Sequence, residues 1–270
     1  MKSRKNSCTK TILGIFRLAL VLLGLGLFST ANAAVITEPF ATSGSLQDWK
    51  AVGTVSGGVP GTPYTEVKEI SSGTYGLFMG RRPDGAADPG ALFYYGTAGD
   101  NGTPRLIDFS ASFTMNIRMG QNSTFGFMVR ATSDAFNNNG GYFVAYHRLN
   151  GVASLTIYDK PKSNTDHGAV LKTVSLMLDF ETDYVFKVSA IGNLIEASIW
   201  SADGQEQLGI VSIDDARTTG GYFGFRAAAG GSNNIVTFRD LTVNTIPEPT
   251  TAALALIALA VGVAGRAIIR

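Results

Sequence analysis

Cysteine is almost absent from this 270-residue chain; the only one is Cys8. It lies in a leader-like segment, so the chain beyond it has no disulfide available and must hold its fold by packing alone. Histidine is nearly as scarce, with only His147 and His167. Neither a His-x-His nor a His-x-x-x-His spacing exists, which removes the zinc signatures. A Cys-His nucleophile is excluded as well. His147, in VAYHRL, reads as an ordinary strand residue, and His167 sits in a polar loop. Helical periodicity is missing from Ala34 to Ile246. One turn of helix at SIDDAR, capped by Ser212, is the single exception the pattern allows. Basic charge is also lacking in this central part. Seven of the 22 basic residues lie in the two ends, leaving 15 against 20 acids and a net charge of −5. That balance argues against nucleic acid or an anionic membrane surface as a partner.

The two ends are built differently. Five basic residues (Lys2, Arg4, Lys5, Lys10 and Arg17) precede an apolar run from Leu18 to Phe28. STANAA follows, with Ala31 and Ala33 in an A-x-A arrangement. This is the layout of a signal peptide covering residues 1–33, cleaved after Ala33, and the run is short for a membrane span. It implies delivery to the Sec export machinery. At the other end, Pro247-Glu248-Pro249 precedes an uncharged stretch that closes with Arg266 and Arg270. A helix over about 250–265 would be just long enough to cross a bilayer. The arginines would stay cytoplasmic, leaving everything before Pro247 outside.

The Pro-Glu-Pro triplet, apolar span and terminal arginines together resemble the PEP-CTERM sorting signal of Gram-negative bacteria. The resemblance covers about 25 residues, and RAIIR departs from the usual compact arginine run. It implies recognition by an exosortase, processing near Pro247, and a membrane-anchored precursor destined for the cell surface or an extracellular polysaccharide matrix.

Residues 34–246 carry strand patterns almost throughout. FSASFTMNIRM sets Phe109, Ala111, Phe113, Met115, Ile117 and Met119 on one face and Ser110, Ser112, Thr114, Asn116 and Arg118 on the other. Such period-two alternation specifies a half-buried strand. Comparable runs are TYGLFMG, ALFYYG, STFGFMVRAT, GYFVAYHRL, ASLTIYD, AVLKTVSLML, YVFKVSAI, LIEASIWS, GYFGFRAA and IVTFRDLTV, divided by turn signals such as NNNGG, LNG and ADG. About a dozen antiparallel strands with no long helix predict an all-β, two-sheet jelly-roll sandwich.

The order of these runs, clearest from Asp108 to Val243, resembles the concanavalin A-like, laminin-G-like jelly rolls. The resemblance implies a fold used to bind glycans and, in some branches, to cleave them; fold alone does not choose. Cleavage needs two carboxylates flanking a sugar bond. The only dense acidic group, Asp179, Glu181 and Asp183 in LDFETDY, reads as a solvated connection before a strand. The chain is therefore read as non-catalytic.

For binding, FGFMVR and FGFR each place a glycine between phenylalanines. Alternation puts Gly126, Met128 and Arg130 opposite Phe125 and Phe127, and puts Tyr222, Gly224 and Arg226 opposite Phe223 and Phe225. With the phenylalanines in the core, the other faces would form a glycine floor flanked by Arg130 and Arg226. Tyr142, Tyr146, Arg148 and Trp200 join them as candidates for holding sugar rings. The alternative for this face is a set of cross-strand ion pairs involving Glu196. RPDGAADPG and TAGDNGTP offer oxygen ligands at Asp84, Asp88, Asp100 and Asn101, which leaves calcium open as a cofactor; plain turn chemistry also accounts for both stretches. Sequons fall at Asn101 and Asn122. Three functions follow: a glycan-binding surface or matrix protein, a structural matrix component without a small ligand, or a glycan-cleaving enzyme.

Overall fold

The computed structural model describes residues 34–246 apart from 42–45, 47, 56–58, 62–64, 82–86, 89, 95–106, 120–122, 133–139, 160–167, 219 and 230–234. The cleavage motif Ala31/Ala33, the triplet Pro247-Glu248-Pro249, the span 250–265, Arg266 and Arg270 therefore lie outside the described residues. So do Asp84, Asp100, Asn101, Asn122 and His167.

Among the described residues seventeen strands follow in chain order: β1 Val35–Glu38, β2 Trp49–Val55, β3 Val59–Gly61, β4 Thr65–Ser71, β5 Thr74–Arg81, β6 Ala87–Asp88, β7 Gly90–Tyr94, β8 Phe109–Met119, β9 Ser123–Ala131, β10 Tyr142–Leu149, β11 Val152–Asp159, β12 Ala169–Ser175, β13 Asp183–Ile191, β14 Leu194–Trp200, β15 Gln207–Asp214, β16 Tyr222–Ala229 and β17 Ile235–Thr245. One sheet runs β15-β14-β13-β8-β17-β5-β4, with β1 on β17 and β6 on β5; the other runs β12-β11-β10-β9-β16-β7-β2-β3. Their pairings are antiparallel. No described helix is long and apolar enough to cross a membrane.

Alternation in β8 reads directly onto the fold. Phe109, Ala111, Phe113, Met115 and Ile117 are buried in the main core, while Ser110, Ser112, Thr114 and Asn116 are half-exposed on the opposite face. Phe113 stacks on Phe186 of the neighbouring strand at 5.1 Å; across the core it meets Phe225 edge-on at 5.0 Å, and Phe225 stacks on Phe238 at 4.5 Å. Each buried phenylalanine contributes roughly 1.5–3 kcal/mol by leaving water, and the ring geometry adds to that.

Three local readings are corrected. SIDDAR does not form a helical turn: Ser212 lies in β15, paired with Glu196 of β14, because Val211 and Ile213 fill the sheet's inner side. AVLKTVSLML stops being a strand at Ser175. The Leu176 amide bonds the Ala153 carbonyl, and the chain then crosses to the other sheet. Strands β1, β3, β4 and β6 carry no strand pattern legible in the sequence; each is short or interrupted by glycine, proline or charge.

Candidate functional site

The six side chains proposed from sequence do not form one floor. Register separates them into four places.

Arg130 leaves the outer face because β9 carries a bulge there. Ala131 pairs with Tyr222 and Met128 with Gly224, so two residues of β9 oppose one of β16, and Arg130 adopts φ 52°. The reversal sends its guanidinium into the end of the sandwich, where it is 0% exposed. Nε and Nη2 donate to the Ile107 carbonyl at 3.1 and 2.9 Å, Nη1 to the Thr218 carbonyl at 3.1 Å, and Nη2 to the Asp108 carboxylate at 3.2 Å. Burial lowers its pKa and Asp108 opposes that shift. The residue joins the start of β8 to the loop between β15 and β16 and presents nothing to a ligand outside.

Tyr142 and Tyr146 face the core rather than the outer surface. They pair with Val129 and Phe125, both core residues. The error has a physical source: β10 is apolar on both faces, so alternation says which residues go together but not which set is inside. Tyr142 donates to the Asp215 carbonyl at 3.4 Å, and Tyr146 accepts from the Leu178 amide at 3.2 Å. Burial raises both phenol pKa values. Beside Tyr146, Arg148 stacks on Phe180 at 4.3 Å, which pins the crossover between the sheets.

Arg226 alone sits on the outer face of the eight-stranded sheet, and it is 0% exposed there. It packs over Phe143 at 5.5 Å within a second buried cluster of Ala91, Met128, Ala131, Phe143, Ala145 and Tyr158. Burial lowers its pKa to about 9. Gly126 answers to a neighbouring backbone: a Cβ there would lie 1.9 Å from the Val144 carbonyl oxygen. His147 is half-buried on the same side, its Nδ1 2.7 Å from the Thr124 hydroxyl, and burial pushes its pKa down.

Trp200 belongs to the other sheet, and so does Glu196, which is therefore no partner for Arg130 or Arg226. Around Trp200 lies an open polar surface, the outer face of β17, β8, β13, β14 and β15. Three cross-strand rows build it. Arg239, Thr114, Val185, Trp200 and Gln207 form one; Thr242, Ser112, Lys187, Ser198 and Ile210 the next; Asn244, Ser110, Ser189, Glu196 and Ser212 the third. Trp200 donates from Nε1 to the Ser198 hydroxyl at 2.8 Å, which fixes the indole, and the Lys187 ammonium sits 4.1 Å from its ring centroid. Among the described residues Lys187 has no carboxylate partner. At one margin Arg239 is held by Asp183 and, at 3.4 Å, by Asp240, while Asn116 donates to Asp183 at 2.8 Å. Of this surface, sequence reasoning named only Trp200 as a ligand contact, with Glu196 as an alternative ion-pair partner. Lys187, Ser112 and Ser189 were missed. Their alternation was visible, but the pairing that joins them is non-local.

The acidic stretch LDFETDY is a turn entering β13. Its Asp179 amide bonds the Tyr184 hydroxyl at 2.9 Å, the Glu181 amide bonds the Ile117 carbonyl at 2.9 Å, and Asp183 is engaged by Arg239. Among the described residues no group of three or more His, Cys, Asp or Glu side chains is placed to hold a metal.

No family model matches the chain, and no curated protein matches it. Solved structures do. Winged bean acidic lectin, complexed with methyl-α-D-galactose, is 11% identical with a TM-score of 0.54, covering 80% of this chain and 100% of that one. A Bacillus subtilis protein of unknown function with a galectin-like fold is 11% identical, TM-score 0.51, covering 78% and 94%. The alginate lyase of Klebsiella pneumoniae is 11% identical, TM-score 0.51, covering 78% and 99%. At such identities the likeness is one of fold, a lectin-like jelly-roll sandwich.

Proposed function

We propose that this chain is an exported surface or matrix protein whose sandwich binds glycans without cleaving them, on the open polar surface around Trp200. One observation carries the reading: a half-exposed indole, oriented by Ser198 and shared with an ammonium that has no carboxylate partner among the described residues, stands among half-exposed serine and threonine hydroxyls. Sugar rings offer apolar C–H faces to an aromatic ring and hydroxyl edges to such donors and acceptors. The fold supports the reading, since the winged bean lectin of the same architecture is complexed with a galactoside. The alginate lyase of that architecture keeps cleavage as an outcome to be measured.

A glycan array on the protein, repeated with Trp200→Ala, tests the site. Trp200 is half-exposed, so the variant should fold normally and lose glycan binding by ten-fold or more. Unchanged binding would move the site elsewhere, and shortening of a bound polysaccharide with time would make the protein an enzyme. The sorting part rests on residues 1–33 and 247–270. It expects export through Sec, exosortase recognition and a mature product from about Ala34 to near Pro247. Intact mass of the exported protein decides it; a product retaining ALALIALAVGVAGRAIIR would refute it.

A further inference from the structure

We infer that this surface takes an internal stretch of a polysaccharide laid across the strands, rather than a single terminal sugar. The inference rests on the glycan reading above and goes beyond it in naming the ligand's length and direction. Its basis is the shape and content of the three rows. They run over five adjacent strands, β17, β8, β13, β14 and β15. At about 4.8 Å between strands the rows are about 19 Å long, the span of several linked sugar rings.

In two of the rows three of the five side chains are short. Thr242, Ser112 and Ser198 lie in one row and Ser110, Ser189 and Ser212 in the next, so the rows make a shallow surface instead of a pit. A pocket that selects one sugar encloses most of it. A shallow surface covers one side only, and here just one aromatic ring, Trp200, lies on the rows. One sugar on Trp200 would make few contacts. Affinity must accumulate as further sugars reach Lys187, Ser112 and Ser110. The rows also run out over the sheet edge at β15, where Ile210 is 42% exposed, so a long chain can leave without bending.

The test uses the full chain in mild detergent. A panel of β-1,4-glucan, chitin and alginate is screened by pull-down, and oligomers of one to six units of each polysaccharide that binds are then titrated by calorimetry. In the series that binds, affinity should rise at least about 100-fold from the disaccharide to the pentamer and then level off. Trp200→Ala should weaken every length. Ser112→Val, two strands away from Trp200, should leave the disaccharide unchanged and weaken the pentamer about five-fold, the effect of one neutral hydrogen bond. A mono- or disaccharide that binds as tightly as the pentamer overturns the inference and leaves glycan binding standing. So does an equal effect of Ser112→Val at all lengths. If no polysaccharide in the panel binds, the glycan reading falls and this inference with it.

Discussion

Replacing Arg130 separates a structural guanidinium from a ligand-facing one. Arg130→Met keeps the apolar stem and removes all four donor contacts, to the Ile107 carbonyl twice, the Thr218 carbonyl and Asp108. The Asp108 carboxylate keeps the Gly192 amide at 2.9 Å and is 23% exposed, so its loss is discounted for solvent. The two carbonyls lose a buried charged donor, at about 1–3 kcal/mol each. Together this amounts to about 3–5 kcal/mol, in the range for breaking a buried ion pair. For a domain of this size each kcal/mol moves Tm by about 2–4 °C, so the variant should melt about 10 °C lower. Arg130→Lys should lose roughly half as much, since a compact ammonium cannot span both carbonyls as the planar fork does. Arg130→Gly separates the backbone from the side chain. It relieves about 1 kcal/mol of left-handed strain at φ 52° yet should still lose most of the stability. Circular dichroism melts beside glycan titration decide the matter. A drop in glycan affinity with Tm within about 2 °C of the parent would refute the buried assignment.

Two further perturbations test the packing and the ion pairs. Gly126→Ala places a Cβ 1.9 Å from the Val144 carbonyl, so β9 and β10 must separate; stability should fall by at least about 3 kcal/mol in urea titration, and a loss below about 1 kcal/mol would contradict the close approach. Asp215, whose bond to Arg217 holds its pKa at about 2, contributes stability that is present above about pH 4 and lost as pH falls towards 2. Asp215→Asn should therefore cost about 1 kcal/mol or less at neutral pH, because Arg217 is 45% exposed, only a small part of that near pH 2, where the carboxylate is half titrated, and nothing well below it; a pH-independent difference would refute the pairing.

Much of the sandwich was legible because one face of most strands meets water. In β8, β13 and β14 the apolar set Phe113, Phe186 and Ile199 could face only inward, and the strands followed. Where that contrast fades, the reading failed. β15 exposes Ile210 and Ser212 at a sheet edge, so its alternation was too weak to outweigh an apparent helix cap. The sequence by itself determined the all-β class, the membership of most strand faces, and the compositional pattern of the two ends, since these depend on local periodicity and charge. Tertiary structure decided where each face points and what it meets. It turned Tyr142 and Tyr146 inward, because β10 is apolar on both sides. It reversed Arg130 through a bulge that arises only against β16, and it set Trp200 on the other sheet from Arg226. It also brought Ser112, Lys187 and Ser198 into one row. Register between strands far apart in the chain is fixed by the packing of whole sheets, and no stretch of sequence carries that alone.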